Sequence, residues 1–409
     1  MSIYSSLQGS QGSQGSQGSQ GSQGSQGSAA WIPHYVQPVA ASPAATLSPG
    51  ADPATSFALT SSREELVQRR VIDHWHPPRR HGEAADDLPD FGDLCRFDTW
   101  ADDIRVENCL TELMQPLHLR EVGGMFLAQH VVPGFKKGGK HTAVVCEVLQ
   151  ISRPPAKLFL RQTQQVFDMS DLRNERLAEI VNQIGIPMQF WASIVDLNLT
   201  DKRRTLELLS IALLCLSHVN QFAKQIFACP RPTAYSPSIQ PMINPRRFGA
   251  FPCGHGAEAF LVARLLLELS GQCSYYGDKA KENPLRRQLQ RLAKRISDNR
   301  VVAGVHFQID SVAGRMVGET MAEYILHRCK GGGWQPRGFI GANTMDDDEP
   351  LPQLLKDFDR HEPMDQGGGE IPAPYFASDL QKCADGSTSP LMTHAWERAR
   401  EEWADWQRT

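Results

Sequence analysis

From Asp168 onward the chain alternates apolar and polar positions with a helical period. Leu172, Leu177, Ile180, Val181 and Ile184 fall on one side of a helix that Asp168 or Ser170 would cap, and Gly185 and Pro187 punctuate it. Residues 188–197 read as a second helix. Asp201 would cap a third, in which Leu206, Leu209, Leu213, Leu216 and Val219 lead to Lys224, and Pro230 and Pro232 stop the run. A Pro-rich loop follows at 235–251. A fourth helix is predicted to start at 254–256 and to include Phe260, Leu261, Leu265 and Leu269. A fifth covers 283–295, and a sixth runs from about 301 to 326, ahead of Gly331-Gly332-Gly333. Apolar runs at 125–132 and 143–149, separated by Pro133-Gly134 and Gly138-Gly139, read equally as strands or as short buried helices.

The fold class expected from this pattern is all-α, a helical bundle with disordered termini. Residues 8–28 repeat Gly-Ser-Gln and 29–57 are rich in Pro, Ala and Ser, so 1–57 is expected to be a low-complexity tether. A helix could start at 61–70, but the stretch 74–81 breaks it. There His74, His76 and His81 stand with two arginines as a basic loop, and their spacing is not diagnostic of a metal site. Order is expected from near Asp90. The helical domain then spans 90–330 with its motif core at 200–328, and 331–409 is a Pro/Gly/acidic tail with a possible terminal helix at 392–407.

The 409 residues carry a net charge of −4 and an isoelectric point near 6.4, so no nucleic-acid partner is implied. Nine cysteines stand singly, without metal-ligand spacing, and read as free thiols of a reducing compartment. The N-terminus lacks a basic and then apolar leader. The longest apolar stretch, 206–217, is interrupted by Glu207 and Ser210, and a bilayer span takes about 20 apolar residues. These features predict a cytoplasmic protein without a transmembrane segment and leave a homo-oligomer open.

Three segments hold the candidate chemistry. They are Lys224-Gln-Ile-Phe-Ala-Cys-Pro-Arg231-Pro232, Pro252-Cys253-Gly254-His255, and Arg300-Val-Val-Ala-Gly-Val-His306-Phe-Gln-Ile-Asp310. Lys224, Arg231 and Arg300 can clamp a tetrahedral oxyanion, the arginines through planar forks and the lysine as a point charge. Gly254 lets a backbone approach the oxyanion closely, and a helix starting at His255 would aim its free N–H groups there. His306 and Asp310, four apart, would share a helix face, where the carboxylate fixes the imidazole tautomer. Each of these residues alone would ordinarily be a solvated charge or a packed histidine. Their joint spacing points to an oxyanion site.

The arrangement resembles the type 2 phosphatidic acid phosphatase and vanadium-dependent haloperoxidase superfamily, whose pattern is K-x6-RP, then PSGH, then SR-x5-H-x3-D. Cys253 replaces the family Ser, and Asn299 stands where a Ser is frequent. The resemblance covers roughly residues 200–328 and implies a helical bundle. It also implies a metal-independent phosphoric ester hydrolase in which His306 attacks phosphorus, Asp310 orients it and His255 protonates the leaving group. Lys224, Arg231, Cys253, Gly254 and Arg300 would hold the oxygens. No cofactor is then needed, and the partner is a small phosphorylated substrate. Its haloperoxidase branch implies instead vanadate as cofactor, with His306 as the vanadium ligand and halide plus peroxide as substrates. Phe248, seven residues before His255, resembles an aromatic of that branch. Further alternatives are a thiolate nucleophile at Cys253 and a non-catalytic oxyanion-binding protein.

Overall fold

The computed structural model of the chain describes residues 92–409, apart from 137–139, 246, 273–282, 347–348, 351–374, 379, 382–387, 405 and 407–409. The expected tether at 1–57, the helix at 61–70 and the histidine-rich loop at 74–81 lie outside the described residues. Residues 92–105 belong to one compact unit and 106 onward to a second. In the first, Asp93 caps the short α1 (Leu94–Phe97) through the Cys95 N–H, and Asp102 pairs with Arg105 at the start of α2 (Asp102–Met114). The second unit holds the candidate site.

Its first surprise is a sheet. β1 (Leu117–Val122), β2 (Met125–Lys136) and β3 (Lys140–Ser152) form an antiparallel meander. Gly123 and Gly124, both left-handed at φ 60° and 83°, make the two-residue turn between β1 and β2. β4 (Arg337–Phe339) joins β3 in parallel. A separate two-stranded ladder pairs β5 (Met345–Asp346) with β6 (Glu349–Pro350), and β7 (Tyr375–Ala377) closes the main sheet beside β4. The all-α expectation is therefore corrected to a helical bundle with a five-stranded sheet. The physical reason lies in the two ambiguous apolar runs. They are rich in β-branched valine and their burial alternates: Cys146 and Val148 are buried while Val145 and Glu147 are exposed. Cys146 is disulfide-bonded, which corrects the reading of every cysteine as a thiol; Cys95, Cys109, Cys215, Cys229, Cys253 and Cys329 are in no disulfide.

The helices follow as α3 (Ala156–Asp168), α4 (Arg173–Asn182), α5 (Met188–Ala192), α6 (Arg203–Phe227), α7 (Pro232–Tyr235), α8 (Gly254–Ser270), α9 (Pro284–Val302), α10 (Gln308–Lys330) and α11 (Pro390–Glu401). α3 is an addition to the sequence reading, and α5 is shorter than expected. α6 and α10 are buried on nearly all sides, as central helices of a bundle must be. Among the described residues one stretch, Arg203–Tyr235, is long and apolar enough to cross a membrane, and 72% of its apolar window is buried inside the protein.

Two features fix the bundle around the site. α8 and α10 approach until backbones nearly touch. A Cβ on Gly314 would lie 2.5 Å from the Cys253 carbonyl oxygen, and one on Gly318 would lie 2.2 Å from that of Ala257, so only glycine fits. This closeness lets the Cys253 N–H donate to the Asp310 carbonyl (2.8 Å). At the other end, Glu402 just after α11 accepts from the Arg204 and Thr205 N–H groups at the start of α6 (2.6 and 2.8 Å). A carboxylate there satisfies free helix donors and complements the helix dipole. Residues 331–409 thus contribute β4, β7 and α11 to the second unit.

Candidate active site

α6 delivers Lys224 on its last turn. The helix stops at Ala228, which is left-handed (φ 47°) and donates its N–H to the Lys224 carbonyl. The Lys224 ammonium is buried and donates to the carbonyls of Gly249 (3.0 Å) and Ala250 (2.8 Å). Gly249 must be glycine, because a Cβ would come within 2.8 Å of the Lys224 carbonyl oxygen. Burial, and secondarily Arg231, push the Lys224 pKa well below the usual lysine range. Arg231 follows just past the helix end. It donates to the carbonyls of Phe248 (3.3 Å) and Val305 (2.8 Å), and its guanidinium lies 5.0 Å from the Phe248 ring centre.

α9 delivers Arg300 on its last turn, fully buried. One of its nitrogens donates to the Ile180 carbonyl (3.1 Å) and approaches the Gln183 amide oxygen (3.5 Å). Its Nε and Nη1 have no partner. Buried guanidinium donors left unsatisfied are costly, and Arg300 is one of the residues that line the cavity. Behind Arg300 stands a fixed frame. Asn299 donates to Gln183 (2.8 Å) and Glu179 (2.9 Å), and Arg295 grips Glu179 with two bonds of 2.8 and 2.7 Å. Asn299 therefore points away from the cavity, into α4.

α8 begins at the site. Cys253 is its N-cap, buried, with Sγ accepting from the Gly256 N–H at 3.4 Å. Burial raises its thiol pKa, although Lys224 pulls the other way, so the neutral thiol is favoured. Gly254 opens the helix next to the Asn220 side chain. His255 places Nε2 at 3.1 Å from the Ile184 carbonyl, which makes Nε2 the protonated nitrogen. Burial and the nearby Arg300 lower its pKa to about 3.

His306 and Asp310 do not share a helix face. Gly304, left-handed at φ 76°, breaks the expected long helix. Arg300 then ends one helix, and His306 lies in the connection before the next. Asp310 sits in the first turn of α10, where its Oδ2 accepts from His306 Nδ1 (2.9 Å) and from the Phe307 N–H (3.0 Å). On the other side of the ring, Arg231 Nη1 approaches His306 Nε2 at 2.8 Å. Guanidinium can only donate, so Nε2 is the acceptor and Nδ1 holds the proton. Burial drives the His306 pKa well below the ordinary imidazole value, with Arg231 the next cause. The ring is neutral, with its Nε2 lone pair turned toward the cations.

Lys224, Arg231, Gly254, His255, Arg300 and His306 line one cavity of about 50 Å³, room for about four water-sized groups, which is the size of a tetrahedral oxyanion. Cys253 and Asp310 support its wall from behind. Sequence reasoning missed Asn220 and Glu258, which also line it. The signal was available for Glu258, since it lies three and four residues after His255 and Gly254 and so on their side of a helix. Among the described residues no group of three or more His, Cys, Asp or Glu side chains could hold a metal ion.

Residues 205–330 match the family model described as PAP2 superfamily. Its members are generally phosphatases or related enzymes. The comparison with curated proteins gives no match.

Proposed function

We propose that the chain is a metal-independent phosphoric ester hydrolase with His306 as nucleophile. The observation behind this is the hydrogen bonding of His306: Nδ1–H is held by Asp310, and the Nε2 lone pair is held at Arg231. A neutral imidazole with a fixed tautomer is what in-line attack on phosphorus requires. The substrate phosphate would take the cavity, engaging the free donors of Arg300 together with Lys224, Arg231 and the α8 N-terminus. His306 Nε2 forms a bond to phosphorus as the bond to the ester oxygen breaks. The leaving oxygen takes a proton from His255. Water then attacks the phosphohistidine and gives its proton to His255, releasing inorganic phosphate. The low pKa of His255 comes first from burial and then from Arg300 and the other cations, and a bound dianion raises it toward the range of a working acid.

A second reading shares the residues. Phe248, which by its position in the sequence resembles an aromatic of the haloperoxidase branch, lies over both Lys224 and Arg231, at 5.4 and 5.0 Å. Vanadate held by the same cations, with His306 as its ligand, would supply a Lewis acid that activates peroxide. The oxidisable Cys253 thiol in the pocket wall weighs toward hydrolysis.

The test is p-nitrophenyl phosphate hydrolysis in EDTA, with inorganic phosphate binding measured alongside. The wild type is expected to turn over without metal and to be inhibited by vanadate. His306→Ala is expected to lose about three orders of magnitude or more in kcat while still binding phosphate. Activity that vanishes in EDTA and returns with magnesium would overturn the proposal.

A further inference from the structure

Glu258 is the one carboxyl lining the cavity, beside three cations, yet it makes no hydrogen bond or ion pair among the described residues. Other acids of this protein that stand near arginine are paired: Glu179 with Arg295, Glu268 with Arg264 and Glu319 with Arg315. Glu258 lies one helical turn beyond Gly254 on α8, so it faces the same space as the α8 N-terminus. Across from it stand Lys224 from α6, Arg300 from α9, Arg231 from the segment after α6 and His306 from the connection before α10; on its own helix stands His255. A second observation concerns the pocket's donors. Where the family pattern has a serine hydroxyl, this chain has a buried thiol that is occupied as an acceptor from Gly256.

We propose that Glu258 takes up a proton when the cavity binds a doubly charged oxyanion, and as a carboxylic acid supplies the hydroxyl donor that Cys253 does not. This rests on the reading of the cavity as an oxyanion site. The physical argument is that of two like charges in a small cavity. A dianion and a carboxylate cannot both stay ionised there, and the carboxylate can capture a proton from solvent while the anion keeps its cations. The captured proton then points a strong donor at an anion oxygen. Burial already holds the free Glu258 pKa at about 7, with Lys224 and Arg300 opposing that rise, so the group is poised to change state near neutrality.

The sign follows directly. Below pH 7 Glu258 is protonated before the anion arrives, and binding draws no proton to it. Above pH 7 it must be protonated on binding, so the anion affinity of the wild type falls by up to about tenfold per pH unit relative to a variant without the carboxyl. The class of ligand this favours is a dianionic tetrahedral group that can accept a hydrogen bond from a neutral acid.

Isothermal titration calorimetry of the full chain with sodium sulfate, at pH 8 in buffers of different ionisation heat, reads the proton uptake. Sulfate keeps both charges across this range, so the protons counted belong to the protein. The Glu258 carboxylate helps Lys224 hold its proton, so Lys224 takes up more in Glu258→Gln than in wild type, and a wild-type excess is a lower bound on the proton taken by Glu258. The wild type is expected to take up most of a proton more per sulfate than Glu258→Gln, and Glu258→Asp to retain uptake. Equal uptake in wild type and Glu258→Gln would overturn the proposal. Sulfate-induced infrared difference spectra of the wild type give a second readout that needs no variant: a protonated-carboxyl band should appear, and its absence would equally count against it. Sulfate binding to none of these proteins would instead overturn the oxyanion reading beneath it.

Discussion

At the scale of single residues, Cys253 is the position where chemistry and packing meet. Its sulfur caps α8 through Gly256, and its carbonyl is pressed against Gly314. A thiolate there would need desolvation to be outweighed by Lys224, and burial is the larger effect. Cys253→Ser restores a stronger donor of smaller volume in the same cap. It is expected to keep kcat/KM or raise it by up to about tenfold, the worth of one improved hydrogen bond to a charged group. A loss of turnover in p-nitrophenyl phosphate assays would make the thiol the nucleophile and remove His306 from that role. The eight candidate residues were legible in the sequence because each belongs to a short segment with fixed internal spacing. Asn220 was not, because it comes from the interior of α6, where a polar residue reads as a solvated face until the facing helix is known; Glu258 carried a usable signal in its spacing from Gly254 and His255, which a search confined to the three segments passes over. The tautomer of His306 was equally out of reach, since it depends on Arg231, seventy-five residues away in the chain.

At the scale of elements, α4 acts as the brace for Arg300. Gln183, immediately after α4, accepts from Asn299 and lies 3.5 Å from Arg300, while Glu179 anchors Asn299 and Arg295 together. Removing the Gln183 acceptor leaves Asn299 with Glu179 alone and Arg300 with the Ile180 carbonyl alone, which strips one N–H of each of its acceptor and frees the guanidinium to turn. Gln183→Ala is expected to lower kcat/KM by about ten- to a hundredfold, corresponding to about 1.5–3 kcal/mol. Gln183→Glu, which keeps an acceptor, is expected to recover most of that loss. Equal losses in both variants would show that α4 supports only the fold. The helical period gave α4, α6 and α8 near their observed places, although α4 buries Ile180 and leaves Leu177 and Val181 of the same side exposed. It failed where a left-handed residue interrupts a run that is apolar on both sides. Gly304 sits amid Val301, Val302 and Val305, so the pattern continues across a real break. It failed again at the sheet, where Gly123-Gly124 was a hairpin signal just before the run at 125–132, which is too short for periodicity to judge.

At the scale of the whole molecule, the second unit holds an unusual number of imidazoles in their neutral form. His130 and His327 are pushed down to about 4 by burial, with Arg328 the next cause in each. His255 is at about 3, and His306 is well below the ordinary value. The first pair is packed around Trp334, with His130 Nδ1 at 3.0 Å from the Tyr324 hydroxyl, on the sheet side of α10. The second pair belongs to the oxyanion cavity. Each has a folded pKa depressed below its unfolded value near 6.5, so below that pH the unfolded chain binds protons that the folded chain refuses. Stability from these four groups is complete above pH 6.5 and is lost as pH falls from there toward 4. Glu258 and Asp310 act in the opposite sense, because burial raises both and the folded chain binds their protons first. Glu402 is a third carboxyl that burial raises, and four histidines against three carboxyls leave the histidines in control. The melting temperature is therefore expected to fall steadily between pH 6.5 and 4.5, a window above the usual carboxylate range. A variant with His130→Phe and His327→Leu, which removes the pair remote from the cavity, should flatten about half of that slope if it folds. Saturating sulfate at the same pH values should flatten the part owed to His255 and His306, because a bound dianion raises both. A melting temperature that stays level down to pH 5 in the free wild type would mean these imidazoles are not held neutral, and the attack step assigned to His306 would lose its starting state.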